Sequence, residues 1–186
     1  MTRSKTTAEQ NENDRFYIED LNHKKLLRKF LRLNSDRLQR TNDSLKHRQI
    51  DFLQLLPLLF HINHPLLPGF VSSQCPTGIP KYNPDKDSIH CARRLAKSFE
   101  FKRRAYRQYD IHALYFMGST GTIAYSDKSD FDVWVCHRED LTSLELKELQ
   151  LKTERITQWC SEYKLEVNFF LINTEHFREG KIDKLS

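Results

Sequence analysis

Asp130 and Asp132 stand one residue apart in the run Asp130-Phe131-Asp132-Val133-Trp134-Val135, where acidic and apolar residues alternate. On an extended chain, residues two apart project to the same face about 7 Å apart at the backbone. Two carboxylates placed so can converge on metal ions. Like charges on one strand face also repel each other, and a divalent cation is the natural compensator. Oxygen ligands suit Mg²⁺, which takes one or two protein carboxylates and completes its shell with water and phosphate oxygens. Two such ions, about 3.5 to 4 Å apart, could clamp the attacking and leaving oxygens of a phosphoryl or nucleotidyl displacement.

Three further features stand near this pair. Glu166, in Leu165-Glu166-Val167-Asn168-Phe169-Phe170-Leu171-Ile172, alternates with an apolar set. If that strand lies beside the first, Glu166 becomes a third acid, able to hold an ion or to accept a hydroxyl proton. Gly118-Ser119 precedes the aspartates by about a dozen residues. Glycine there lets backbone amides approach phosphate and serine adds a hydroxyl, so the turn is a candidate triphosphate cradle. Trp134 could stack on a base or pack in the core. Singly these signals are weak, since an Asp-x-Asp on a strand is often a solvated edge and Gly-Ser a common turn.

The elements that must position these residues follow from hydrophobic period. Residues 1–15 are polar without an apolar period and predict a disordered leader. From Phe16, the residues Ile18, Leu21, Leu26, Leu27, Phe30, Leu31 and Leu33 recur at helical spacing. A second helix from about Leu45 carries Phe52, Leu53, Leu56, Leu59 and Phe60, with Pro57 expected to kink or restart it. The two helices are expected to pack together. Residues 61–87 hold five of the six prolines, which predicts a fixed loop. Ser88 to Arg107 reads as a basic helix whose Arg93, Arg94, Lys97, Lys102, Arg103, Arg104 and Arg107 either steer a polyanion or form a solvated face.

Ile111 to Met117 predicts a strand followed by the Gly118 turn and a polar stretch to Ser129. After the acidic strand, Thr142 and Glu145 form a capping box, opening a helix to about Lys164 that should cover the opposite sheet face. Leu165 to Ile172 is the last strand. This order of strand, Gly-Ser, Asp-x-Asp strand, helix and single-acid strand is the pattern of the DNA polymerase beta-like nucleotidyltransferase fold. The expected class is α+β: a small mixed sheet with helices, preceded by N-terminal helices.

A chain of 186 residues suffices for one domain, here 16–186. A net charge of +5 fits a triphosphate as readily as nucleic acid, so it identifies neither. The absence of a long apolar run and of a secretory start favours the cytoplasm and argues against membrane insertion. Cys75, Cys91, Cys136 and Cys160 are widely spaced, without a C-x-x-C pair, and predict buried reduced thiols. His61 and His64 could ligate a metal by spacing, but a pair without a nearby acid or cysteine is more often structural.

Two stretches, LLPLLFHINHPLLPGFVSSQCPTGIPKYNPDKD and LYFMGSTGTIAYSDKSDFDVWVCHRED, resemble the N-terminal signatures of class I adenylate cyclases of gamma-proteobacteria, and EVNFFLINTEHFR continues the match. The similarity runs from about Leu45 to Arg178. It implies attack of the ribose 3′-hydroxyl of ATP on its own α-phosphorus, giving cyclic AMP and pyrophosphate, with two magnesium ions held at Asp130 and Asp132. It further implies Gly118 and Ser119 as the phosphate turn, Trp134 as the tryptophan beside the acids, and Glu166 as the acid of the later strand. The substrate partner would be ATP, with no role for nucleic acid. Members often show Pro-Lys-Gly where this chain has Pro76-Thr77-Gly78, so a positive charge that could help bind ATP is missing. The family's catalytic region also continues well past this length into a regulatory half, so the catalytic domain is expected to be incomplete here and completed by a C-terminal region or partner. Alternatives are another transferase of this fold, acting on an RNA, protein or small-molecule acceptor, and an inactive fragment.

Overall fold

A computed structural model describes residues 4–103, 107–119, 122 and 130–180, side chains of 4–21, 47 and 48 excepted. Its sheet is built on alternation. In strand β2, Phe131–His137, Phe131, Val133 and Val135 are fully buried while Asp132 and Trp134 face the other way. Strand β1, Ile111–Met117, pairs antiparallel with β2, placing Phe116 opposite Val133 and Met117 opposite Asp132. Strand β3, Val167–Asn173, lies parallel to β2 on its other side, with Phe169 beside Val133 and Asn168 beside Asp132. The order β1-β2-β3 is thus a small mixed sheet in an α+β chain. A parallel pair needs a long crossover. Helix α4, Ser143–Ser161, provides it and buries Leu149, Ile156 and Cys160.

The helix start is set by the expected box: Thr142 accepts from the Glu145 amide, and Glu145 accepts from the Thr142 amide at 2.7 Å. The helix stops at Ser161, short of Lys164, whose φ of 59° is left-handed. Helix α2, His47–His61, is apolar nearly all round, with Phe52, Leu55, Leu56, Leu58, Leu59 and Phe60 buried. It continues through Pro57 without the restart that was one of the two outcomes expected there, the other being a kink. A helix packed on so many sides loses one hydrogen bond at proline without losing its burial.

Three other expectations are corrected. Helix α1 spans Ser4–Ser44, running through residues 4–15 where no regular structure was predicted; neither glycine nor proline occurs before Pro57 to interrupt it. The described part of its apolar face does not pack on α2: Leu26, Leu27, Phe30, Leu31 and Leu33 all remain about half exposed or more. Further along, among the described residues, α1 buries Thr41. The basic helix is short: α3 covers Lys86–Leu95, capped by Asp85, whose carboxylate accepts from the Ser88 amide at 2.7 Å. Lys97, Lys102, Arg103 and Arg107 therefore lie beyond it, Arg94 pairs with Asp51, and Arg104 falls outside the described residues.

The proline-rich loop is fixed, as predicted, and α4 fixes it. Lys152, buried on α4, donates to Asn63 Oδ1 at 2.8 Å, and Asn63 Nδ2 donates to the Cys75 carbonyl at 2.7 Å. Burial lowers the Lys152 pKa to about 8. An unfolded lysine titrates near 10.4, so between those values the unfolded chain holds the extra proton and stability rises with pH, by about 1.4 kcal/mol per unit at most. Burial raises the thiols of Cys75 and Cys91 to about 11 and that of Cys160 to about 12, which opposes this trend as unfolded thiols ionise. We therefore expect the stability difference between wild type and Lys152→Met, followed by urea unfolding, to rise from pH 8 to 10. Parallel curves for the two proteins would contradict the assignment. All four cysteines are free and buried.

Candidate active site

The open face of the sheet carries the predicted residues. Gly118 directly follows β1 with φ 67°, a conformation that suits glycine. A Cβ at this position would come 3.1 Å from Asp132 Oδ2, so the turn and the carboxylate are in close approach. The Ser119 carbonyl accepts from the Thr122 amide and hydroxyl at 2.9 and 2.7 Å, which closes the turn. The stretch up to Ser129 otherwise lies outside the described residues. Asp130 sits one residue before β2 and is exposed.

The residue beside Asp132 on β3 is Asn168, whose Nδ2 donates to Asp132 Oδ1 at 3.2 Å. Glu166 precedes β3, level with Asp130 by register, and is exposed; its carbonyl accepts from the Phe131 amide at 2.8 Å. Among the described residues, no three His, Cys, Asp or Glu side chains form a group that could hold a metal. The structure therefore brings together Gly118, Asp132 and Asn168, and sets Glu166 one rung further out. The alternation that puts Glu166 on this face puts Asn168 there too, but the sequence alone assigned Asn168 no part in the site. Trp134 is half-buried on the same face, edge-on to Phe177 of helix α5, Thr174–Arg178, with ring centroids 5.6 Å apart.

Two other candidates resolve structurally. His61 Nδ1 accepts from the Ile79 amide at 3.1 Å, and burial lowers its pKa. His64 Nδ1 accepts from the Leu66 amide at 3.3 Å while its ring meets Phe99. Thr77 is tied by its amide to Asp110 Oδ2 at 2.9 Å, just before β1. That is the end of β1 opposite Gly118, roughly 26 Å away at strand rise. Asp110 also joins Arg138, which pairs with Asp110, Asp140 and Glu145 at 2.8, 2.6 and 2.7 Å. These partners raise the Arg138 pKa further above its ordinary range, outweighing its desolvation.

Asp132 and Asn168 thus stand together at one end of a small mixed sheet, next to a glycine turn. Comparison with known proteins then places the chain: residues 22–186 match the family described as the adenylate cyclase NT domain. The chain belongs to that family. It is 38% identical to an adenylate cyclase of Pasteurella multocida over 135 residues, covering 67% of this chain and 16% of that protein. It is 36% identical to the adenylate cyclase of Escherichia coli K12 over 133 residues, 70% of this chain and 16% of that one. Identity to the Proteus mirabilis adenylate cyclase is 35% over 149 residues, 78% of this chain and 17% of the relative. The chain thus spans only about one-sixth of the relatives' length. No solved structure matches it, and no described helix is long and apolar enough to cross a membrane.

Proposed function

We propose that this chain carries the metal-binding part of an adenylate cyclase catalytic site, on a sheet of the DNA polymerase beta-like nucleotidyltransferase type. The observation that carries this reading is the close approach of Gly118 to Asp132 Oδ2 across the β1/β2 pair. It sets a phosphate-accessible turn against a carboxylate, within a chain of the adenylate cyclase family.

The donor set fits magnesium: carboxylate oxygens of Asp130 and Asp132, with the Asn168 carboxamide bonded to Asp132, are the hard oxygen groups this ion takes. When bound, magnesium would supply the positive charge that offsets the triphosphate and favours displacement at the α-phosphorus. The chain's own residues do the rest. Gly118 leaves room for phosphate, and the Ser119 hydroxyl adds a donor. Asn168 holds the Asp132 carboxylate in one orientation. Trp134 offers a ring on the site's face for the adenine, and Glu166, one rung out, is placed to accept the proton of the ribose 3′-hydroxyl. The products are cyclic AMP and pyrophosphate. In this reading the enzyme works in the cytoplasm, where ATP is available, with a regulatory region or partner of the kind the relatives' greater length could supply.

The test is calorimetric titration of the 186-residue chain with ATP, with and without magnesium. Asp130→Asn combined with Asp132→Asn is expected to weaken magnesium-dependent binding by about 10- to 100-fold. Equal binding by the double variant would refute the site. Transfer of label from ATP to an acceptor, without cyclic AMP, would favour another transferase of the same fold.

A further inference from the structure

On helix α1, Leu33, Arg37, Thr41 and Leu45 recur every four residues and share one face, Leu45 lying just past the helix end. Thr41 is buried and Leu45 half-buried while Leu33 stays exposed, so this face meets the rest of the chain toward its C-terminal end. One helical turn before Thr41, Arg37 Nη2 donates to the Gly118 carbonyl at 3.2 Å across 81 residues of sequence. Gly118 is the residue that closely approaches Asp132 Oδ2. Helix α1 therefore delivers a guanidinium to the turn proposed to receive phosphate.

A guanidinium carries five N–H donors in a planar fork suited to phosphate oxygens, and it keeps its charge at any working pH. The setting calls for such a group. A triphosphate approaching Asp130 and Asp132 meets two negative side chains, and each cation at the rim lowers that cost. Thr77, in the loop before β1, is uncharged and tied to the far end of that strand, so it brings no charge to this turn. We infer that Arg37 is a phosphate-binding residue of the nucleotide site, contributed by α1 of the same chain. The inference rests on the ATP-site reading above. It adds a residue from an element outside the sheet motif and gives α1 a part in substrate binding.

A residue that only pins α1 to the turn would produce the same hydrogen bond, so the experiment must separate the two roles. Mg-ATP, inorganic tripolyphosphate and adenosine are each titrated by calorimetry into the full chain, as wild type, Arg37→Gln and Arg37→Lys. Circular dichroism verifies that helix content is retained. Arg37→Gln is expected to weaken ATP and tripolyphosphate binding about tenfold, equivalent to about 1.4 kcal/mol. Arg37→Lys should recover part of that loss, and adenosine should bind all three proteins equally. If Arg37→Gln binds ATP as tightly as wild type, the inference falls and the ATP site stands. An equal loss for adenosine would assign Arg37 a structural role and overturn it likewise. Wild type that binds no ATP would remove both the inference and the reading beneath it.

Discussion

Replacing Phe52 by alanine is expected to lower the unfolding free energy by about 4 kcal/mol, within the range typical of buried aromatic truncations. Phe52 is fully buried on α2, and its ring meets Phe131 and Phe116 edge-on, with centroids 5.6 and 6.3 Å apart. Phe116 and Phe131 close the triangle at 5.8 Å. Three elements thus share one aromatic cluster, and none can shift to fill the void without disturbing the others. Urea unfolding measures the loss; a value under about 1.5 kcal/mol would mean that the cluster collapses around the gap. The position also matters for the site. Phe131 lies between Asp130 and Asp132, and Phe116 stands two residues before Gly118. The triangle is the back wall of the acidic end of the sheet.

Gly69→Ala is expected to cost about 3 kcal/mol, combining overpacking with left-handed backbone strain. A Cβ on Gly69 would meet Ile156 Cγ1 at 2.5 Å and Cδ1 at 2.8 Å, with the Lys152 carbonyl at 3.3 Å. The φ of 80° adds strain for any side chain. Ile156 is fully buried in the core, so it has nowhere to retreat. Arg155 next to it donates to the Phe70 carbonyl, which holds the loop against the same helix turn. The variant's thermal unfolding midpoint should fall with its urea midpoint. A change below about 1 kcal/mol would show that the loop can lift from α4 and relieve the overpacking.

Much of the sheet was legible because its signals are local. The bounds of β1 coincide with the predicted Ile111–Met117, and the period of two in β2 separates Asp132 from Val133 as read. The Thr142 and Glu145 box is also a local pattern, and its hydrogen bonds form as expected. What sequence could not supply was distance between elements. Nothing near Arg37 in the chain indicates that it meets a carbonyl 81 residues on. Nor does the period of α1 show that Leu26 and Phe30 stay exposed, since an apolar stripe specifies burial only when a partner is within reach.

Asn168 was legible as a neighbour of Glu166 on one strand face but not as a site residue, because an amide carries no charge to mark it as a partner for metal or phosphate. Its hydrogen bond to Asp132 is visible only once β3 is set beside β2 in register. Glu166 shows the converse. Its alternation was read correctly, yet it lies before β3 begins, one rung from the Asn168 that meets Asp132.

The central place of β2 in the sheet has one further consequence. Its backbone is zipped to a neighbour on both sides, so Asp132 cannot drift toward or away from an incoming ligand by small increments. Displacing it means unfastening two ladders together. Damage to the domain should therefore divide the population into molecules with an intact acidic end and molecules with none, instead of leaving every molecule slightly impaired.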